Sequence, residues 1–293
     1  MLREKRNMTG AEKRAQWKSI VEAAQTSKTP VLAASSPRPQ PDTEQTIRLA
    51  LEHHSAGRLD EAEDLYQQAL QSDPHQPAAL HFLGLVAQQV GEPDIAADLM
   101  TAAVALQPDY VEAYCSLGGV LLDLNQLDNA VDNLQKAVSL RPNFVEALIN
   151  LGIVLQESGR LDEAATSYEK ALALEPDYFE AHINLGSTLK AMGQFDKAIS
   201  SYKSALSIDP DSAEAHFKLG NALQEKWELP AAIASYTSAL KVNPQDSDIK
   251  SALGMALIKN GQHEEGLKFE KSGDGVISFD LKSGVTVHFG EQG

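Results

Sequence analysis

Along most of the chain, apolar positions recur three and four residues apart, with small residues at fixed places among them. In 145–178, Leu148, Leu151, Gly152 and Leu155 form one stripe, and Ala164, Tyr168, Ala171 and Leu172 form another. Each stripe suits one face of an amphipathic helix. The pair of stripes returns every 34 residues, and Pro74, Pro108, Pro142, Pro176, Pro210 and Pro244 mark the interval. Placing these prolines at repeat position 32 gives units 43–76, 77–110, 111–144, 145–178, 179–212 and 213–246, with a seventh over 247–271. A fixed period of this length predicts a solenoid, whose units bury their apolar faces against one another.

Local signals divide each unit into two helices. Gly57, Gly91, Gly159, Gly193 and Gly261 fall between the stripes, with Asn125 as the one other residue that tolerates a left-handed turn. Asp60, Asp94, Asp128, Asp162 and Asp196 follow at the place where a second helix needs an N-cap, and Pro230 suits a first helical turn in unit six. The first helices offer Glu112, Glu146, Glu180 and Glu214, each three residues after Asp109, Asn143, Asp177 or Asp211. That spacing predicts capping boxes rather than a column of ligand-binding carboxylates.

Leu at position 7, Gly at 8, Ala at 20 and 27, Tyr at 24 and Pro at 32, repeated over 43–271, resemble the tetratricopeptide repeat (TPR). Units such as 180–210 are similar to those of the O-linked N-acetylglucosamine transferase superhelix. The resemblance implies an all-α, right-handed superhelix with the first helices lining a concave groove. It also implies that positions 5, 6, 9 and 12 face a peptide or protein ligand. These are Ile149, Asn150, Ile153 and Gln156 in unit four, Ile183, Asn184, Ser187 and Lys190 in unit five, and Phe217, Asn221 and Gln224 in unit six. Asn150 and Asn184 match the asparagine ladder with which the transferase superhelix grips a peptide backbone; Phe82, Ser116 and Lys218 interrupt it. Isoleucine at position 5 and glutamate at position 2 contradict the carboxylate clamp of chaperone-binding members.

The flanks differ from the array. Residues 1–42 carry eight basic and four acidic side chains, whereas the whole chain has a formal charge of -16, so the acid lies in the repeats. Within this head, 9–25 suits a short helix with Trp17, Ile20 and Val21 on one side, and 26–42 reads as a Pro/Ser-rich linker. A terminal basic segment of this kind is expected to be a solvated tail. Over 272–293, alternation predicts a β-hairpin with strands Val276–Leu281 and Val285–Phe289, offering a route to self-association.

Candidate chemistry is sparse. Cys115, the single cysteine, has no base paired with it in the pattern, and a lone thiol fits a reducing, cytoplasmic setting. His53 and His54 are adjacent and cannot chelate together from one helix face, while His182 and His216 recur at one repeat position and read as packing residues. The sequence therefore predicts no catalytic residue, cofactor or metal, no membrane span, and no nucleic-acid partner for so acidic an array. The expected function is a binding scaffold for a protein or peptide, neutral to basic with apolar anchors. The alternative is the substrate-recruiting part of a larger transferase system, inactive alone.

Overall fold

A computed structural model describes residues 10–26 and 41–270, together with the strand segments 275–280 and 284–289. Helix α1 (Gly10–Thr26) precedes seven helix pairs. These are α2 (Pro41–Ser55) with α3 (Leu59–Ser72), α4 (Pro77–Gln89) with α5 (Pro93–Leu106), and α6 (Val111–Asp123) with α7 (Leu127–Leu140). There follow α8 (Val145–Glu157) with α9 (Leu161–Leu174), α10 (Phe179–Ala191) with α11 (Phe195–Ile208), α12 (Ala213–Glu225) with α13 (Leu229–Val242), and α14 (Ser247–Lys259) with α15 (His263–Glu270). Two strands follow, β1 (Gly275–Asp280) and β2 (Gly284–Phe289), paired antiparallel with Gly275 opposite Phe289 and Asp280 opposite Gly284. Their pairing starts one residue before the alternation suggests, and 281–283 lie outside the described residues. The chain divides into two units between Ser158 and Gly159.

Small residues at position 8 let the two helices of a pair approach. In the second unit, a Cβ built on Gly186 would stand 2.6 Å from the Tyr202 ring, and one on Gly220 would stand 2.5 Å from Tyr236. Both tyrosines are almost fully buried, so their rings fill the space that glycine leaves. The inter-helix turns are left-handed, with φ between 72° and 85° at the five glycines and 56° at Asn125. Trp227 holds this place in the sixth repeat with φ 58°, a conformation unusual for a bulky side chain. Its ring is 71% exposed, with Lys259 Nζ 5.9 Å from the centroid.

Helix starts differ from the sequence reading. Second helices are capped at Arg58, Glu92, Gln126, Arg160, Gln194 and Glu228, without side-chain cap bonds. Asp60, Asp94, Asp128, Asp162 and Asp196 thus stand inside the first turn, where they favour the helix dipole instead of capping it. First helices are capped one residue later than expected, at Tyr110, Phe144, Tyr178 and Ser212. The glutamates lie at the second helical position, one short of a capping box. At Ser212 and Asp246 a side chain of the cap residue does take orphan donors, from Ala215 N and from Asp248 N and Ile249 N. The freed glutamates pair elsewhere: Glu112 accepts from Arg141 at 2.6 Å and Glu214 meets Lys218 at 3.4 Å.

The basic head is not a solvated tail over Gly10–Thr26. Trp17, Val21 and Ala24 are buried along one face of α1, which packs against α5 in the first unit. Lys13 reaches Asp60 at 3.2 Å and Glu63 at 3.1 Å on α3, where Gln16 also donates to Gln67. Arg14 meets Glu92 at 3.1 Å and Asp94 at 3.8 Å at the start of α5. Burial pushes Glu63 above the usual carboxylate range, and Lys13 pulls it back.

Candidate functional site

The first helices carry the positions that the TPR resemblance assigns to ligand. In the first unit, Ile149 on α8 is buried, and Asn150 is half-buried with its Nδ2 3.6 Å from Cys115 Sγ. Burial pushes the Cys115 thiol up to about 12, so it stays protonated and unreactive. Ile153 and Gln156 on the same helix are half-buried.

In the second unit, Ile183 on α10 is buried at 5% exposure, while Asn184 and Lys190 stay partly open. Ser187 Oγ donates to the Ile183 carbonyl and accepts from the Tyr202 hydroxyl at 3.2 Å. One repeat on, Asn221 Oδ1 accepts from the Tyr236 hydroxyl at 2.7 Å. Position 9 thus completes the hydrogen bonding of the buried tyrosine at position 24, fifteen residues ahead. Phe217 on α12 leans on Tyr236 with ring centroids 5.9 Å apart and keeps an open edge. Gln224 Oε1 is buried without a hydrogen-bond partner.

The histidine column has a local role. His182 Nε2 lies 2.8 Å from the Pro176 carbonyl oxygen and His216 Nε2 3.0 Å from that of Pro210, the same contact repeated after 34 residues. His81 shares repeat position 5 with Ile149, Ile183 and Phe217, and its ring is buried in the first unit. Its Nδ1 lies 3.0 Å from the Tyr110 hydroxyl and its Nε2 3.0 Å from Ser116 Oγ. Burial pushes this imidazole down to about 4 against the pull of Glu112. Polar neighbours at positions 34 and 6 were the available signal. Among the described residues there is no cluster of three or more His, Cys, Asp or Glu able to hold a metal ion. No helix among them is long and apolar enough to cross a membrane.

Solved structures share this arrangement. MamA is 28% identical over 55% of this chain and 94% of its own, with a TM-score of 0.52. YrrB, described as a TPR protein with an unusual peptide-binding site, is 21% identical over 67% of this chain and 97% of its own, at a TM-score of 0.57. PilF of Pseudomonas aeruginosa is 20% identical over 71% of this chain and 95% of its own, at a TM-score of 0.62. The last two likenesses speak to the fold alone. No curated protein matches by sequence. A family model for the Cilia and flagella-associated protein 70 C-terminal domain, a TPR family, matches residues 5–255. With helix pairs, left-handed turns and small-residue contacts recurring at the repeat period, the chain belongs to that TPR family.

Proposed function

We propose that the chain is a protein-interaction scaffold that takes a peptide segment of a partner on its first-helix face. The observation that carries this reading is on α10 and α12. Asn184, Lys190 and Phe217 remain partly exposed there, and the Asn184 amide has no side-chain hydrogen bond among the described residues. An amide offers a donor and an acceptor to a peptide backbone, and the open edge of Phe217 offers an apolar contact. Asn150 on α8 is the matching amide of the first unit. The peptide-binding site named for YrrB agrees with this class of ligand. The acidity of the repeats favours a neutral-to-basic segment with apolar anchors. A buried, free Cys115 suits a reducing compartment such as the cytoplasm. The reading assigns no catalytic residue and no cofactor.

The test is affinity capture from the native host with the chain and its Asn150→Ala and Asn184→Ala variants, with a photo-crosslinker at position 217 locating the contact. Weaker capture by the variants and crosslinks to one peptide segment are expected. An unchanged capture profile refutes the assignment of these amides.

A further inference from the structure

The seating of α1 shows what the outer side of this array accepts. α1 lies against two successive second helices, α3 and α5, with Trp17, Val21 and Ala24 inward and with Lys13 and Arg14 on carboxylates of both. Thirty-four residues on, the groove between α5 and α7 repeats the arrangement and stands open with a volume of about 470 Å³. Asp94 takes the place of Asp60 there, Ala97 that of Glu63 and Thr101 that of Gln67, so the wall keeps a carboxylate while its other side chains shrink. Asp98 adds a second carboxylate, and Val104, Leu117 and Leu121 supply an apolar floor.

On the facing wall, Asn129 and Asn133 replace the buried Ile95 and Leu99 of the occupied groove. Asn129 Nδ2 donates to Gln126 Oε1, and Asn133 Nδ2 donates to the Asn129 carbonyl. Each amide spends one of its two donors locally, at the start of α7 or within it, and keeps its oxygen as an acceptor. Asp98, together with Asp94, which Arg14 of α1 also approaches at 3.8 Å, stands on one side and two amide oxygens on the other, a set that favours an occupant rich in donors.

We propose that the α5–α7 groove is a docking site for a basic amphipathic helix of a partner protein, held as α1 is held one repeat earlier. The occupant places Lys or Arg against Asp98, and apolar side chains over Leu117 and Leu121. The groove has its walls on second helices over a floor largely from α6, and it shares no residue with the first-helix positions proposed above.

The probe is a fluorescein-labelled synthetic peptide of residues 10–26, titrated into the full chain by fluorescence anisotropy. A photo-crosslinker at the Lys18 position reports the contact. Saturable binding with crosslinks to α5 and α7 is expected. Asp98→Lys with Asn133→Lys, both on partly or fully exposed side chains, should weaken binding at least about tenfold while leaving the far-ultraviolet dichroism intact. A peptide carrying Lys13→Glu, Arg14→Glu and Lys18→Glu should not bind. Absence of saturable binding, equal affinity in the double variant, or crosslinks to α3 indicating exchange with resident α1 would each overturn the proposal. Asn184→Ala should leave this binding unchanged, which separates its failure from that of the first-helix reading.

Discussion

Two glycines inside helices allow a matched test of the packing. Gly186 in α10 and Gly119 in α6 both replace a better helix former, so alanine at either gains about 1 kcal/mol of helix propensity. At Gly119 nothing lies within 4 Å of the added carbon, and the gain should survive. At Gly186 the same carbon meets three Tyr202 ring atoms at 2.6, 2.8 and 2.9 Å. Carbon atoms pack at about 3.5–4.0 Å, so the ring must retreat by about 1 Å. Tyr202 is 1% exposed and has no open side to retreat into. Overpacking of this kind costs about 1–3 kcal/mol. Displacing the ring also strains the Tyr202–Ser187 hydrogen bond, worth about 1 kcal/mol. Gly186→Ala should therefore lose about 1–3 kcal/mol net, and Gly119→Ala should gain up to about 1. Thermal melting should move in opposite directions, by about 2–4 °C for each kcal/mol. Because repeat arrays open unit by unit, hydrogen exchange should also quicken in α10 and α11 of the Gly186 variant. A Gly186→Ala protein as stable as the parent, with unchanged exchange there, would refute the argument.

Two further outcomes follow from the first unit. His81 titrates near 4 in the folded chain against 6.5 ordinarily, so its contribution is complete above about pH 6.5 and falls away as pH drops toward 4. The loss attributable to it should reach about 2 kcal/mol at pH 5, measured as the difference between urea unfolding of the parent and of His81→Gln across that range. Its ring carbons should show no protonation shift above about pH 5 by NMR, and a titration near 6.5 would contradict the burial argument. Trp17→Ala should cost about 3–5 kcal/mol locally, releasing α1 and raising exchange in α5; protection of α5 equal to the parent would show that α1 is not what covers it.

The helix pairs were legible because a stripe needs only an approximate frame. A shift of one residue moves an apolar position by 100° at most one turn along, and neighbouring members of the stripe still point inward. A cap tolerates no such shift, since one backbone N–H must meet one side-chain oxygen. Position 34 decides the first-helix start, and in three repeats it holds an aromatic residue that packs. The Tyr110 hydroxyl meets His81, and the Arg141 guanidinium carbon lies 5.0 Å from the Phe144 ring centroid. Where this position is Ser212 or Asp246, the side chain does cap. The glutamates and aspartates near the starts were therefore read in the right turn but in the wrong role.

The candidate site was less legible, because groove position and availability are different properties. Ile149, Ile183, Ser187 and Asn221 stand at repeat positions that the TPR resemblance assigns to ligand, yet the first two are buried and the others are engaged by tyrosine hydroxyls. Those partners lie fifteen residues ahead and are fixed by the helix turn, which single positions do not reveal. The outer face had its signal away from the residues that drew attention. The basic pattern of α1 said only that it was amphipathic; what shows it covered is α5, where Ile95, Leu99 and Ala102 are buried at positions that unit three fills with Asn129, Asn133 and Lys136. An apolar surface on one repeat and a polar one on the next, at equal register, distinguishes a face closed by its own chain from one left open. That contrast is why the groove beside α7 is open to a donor-rich helix while the groove beside α3 already holds one: Lys13 and Gln16 take the acceptors of α3, and Arg14 takes Glu92 and Asp94 at the start of α5.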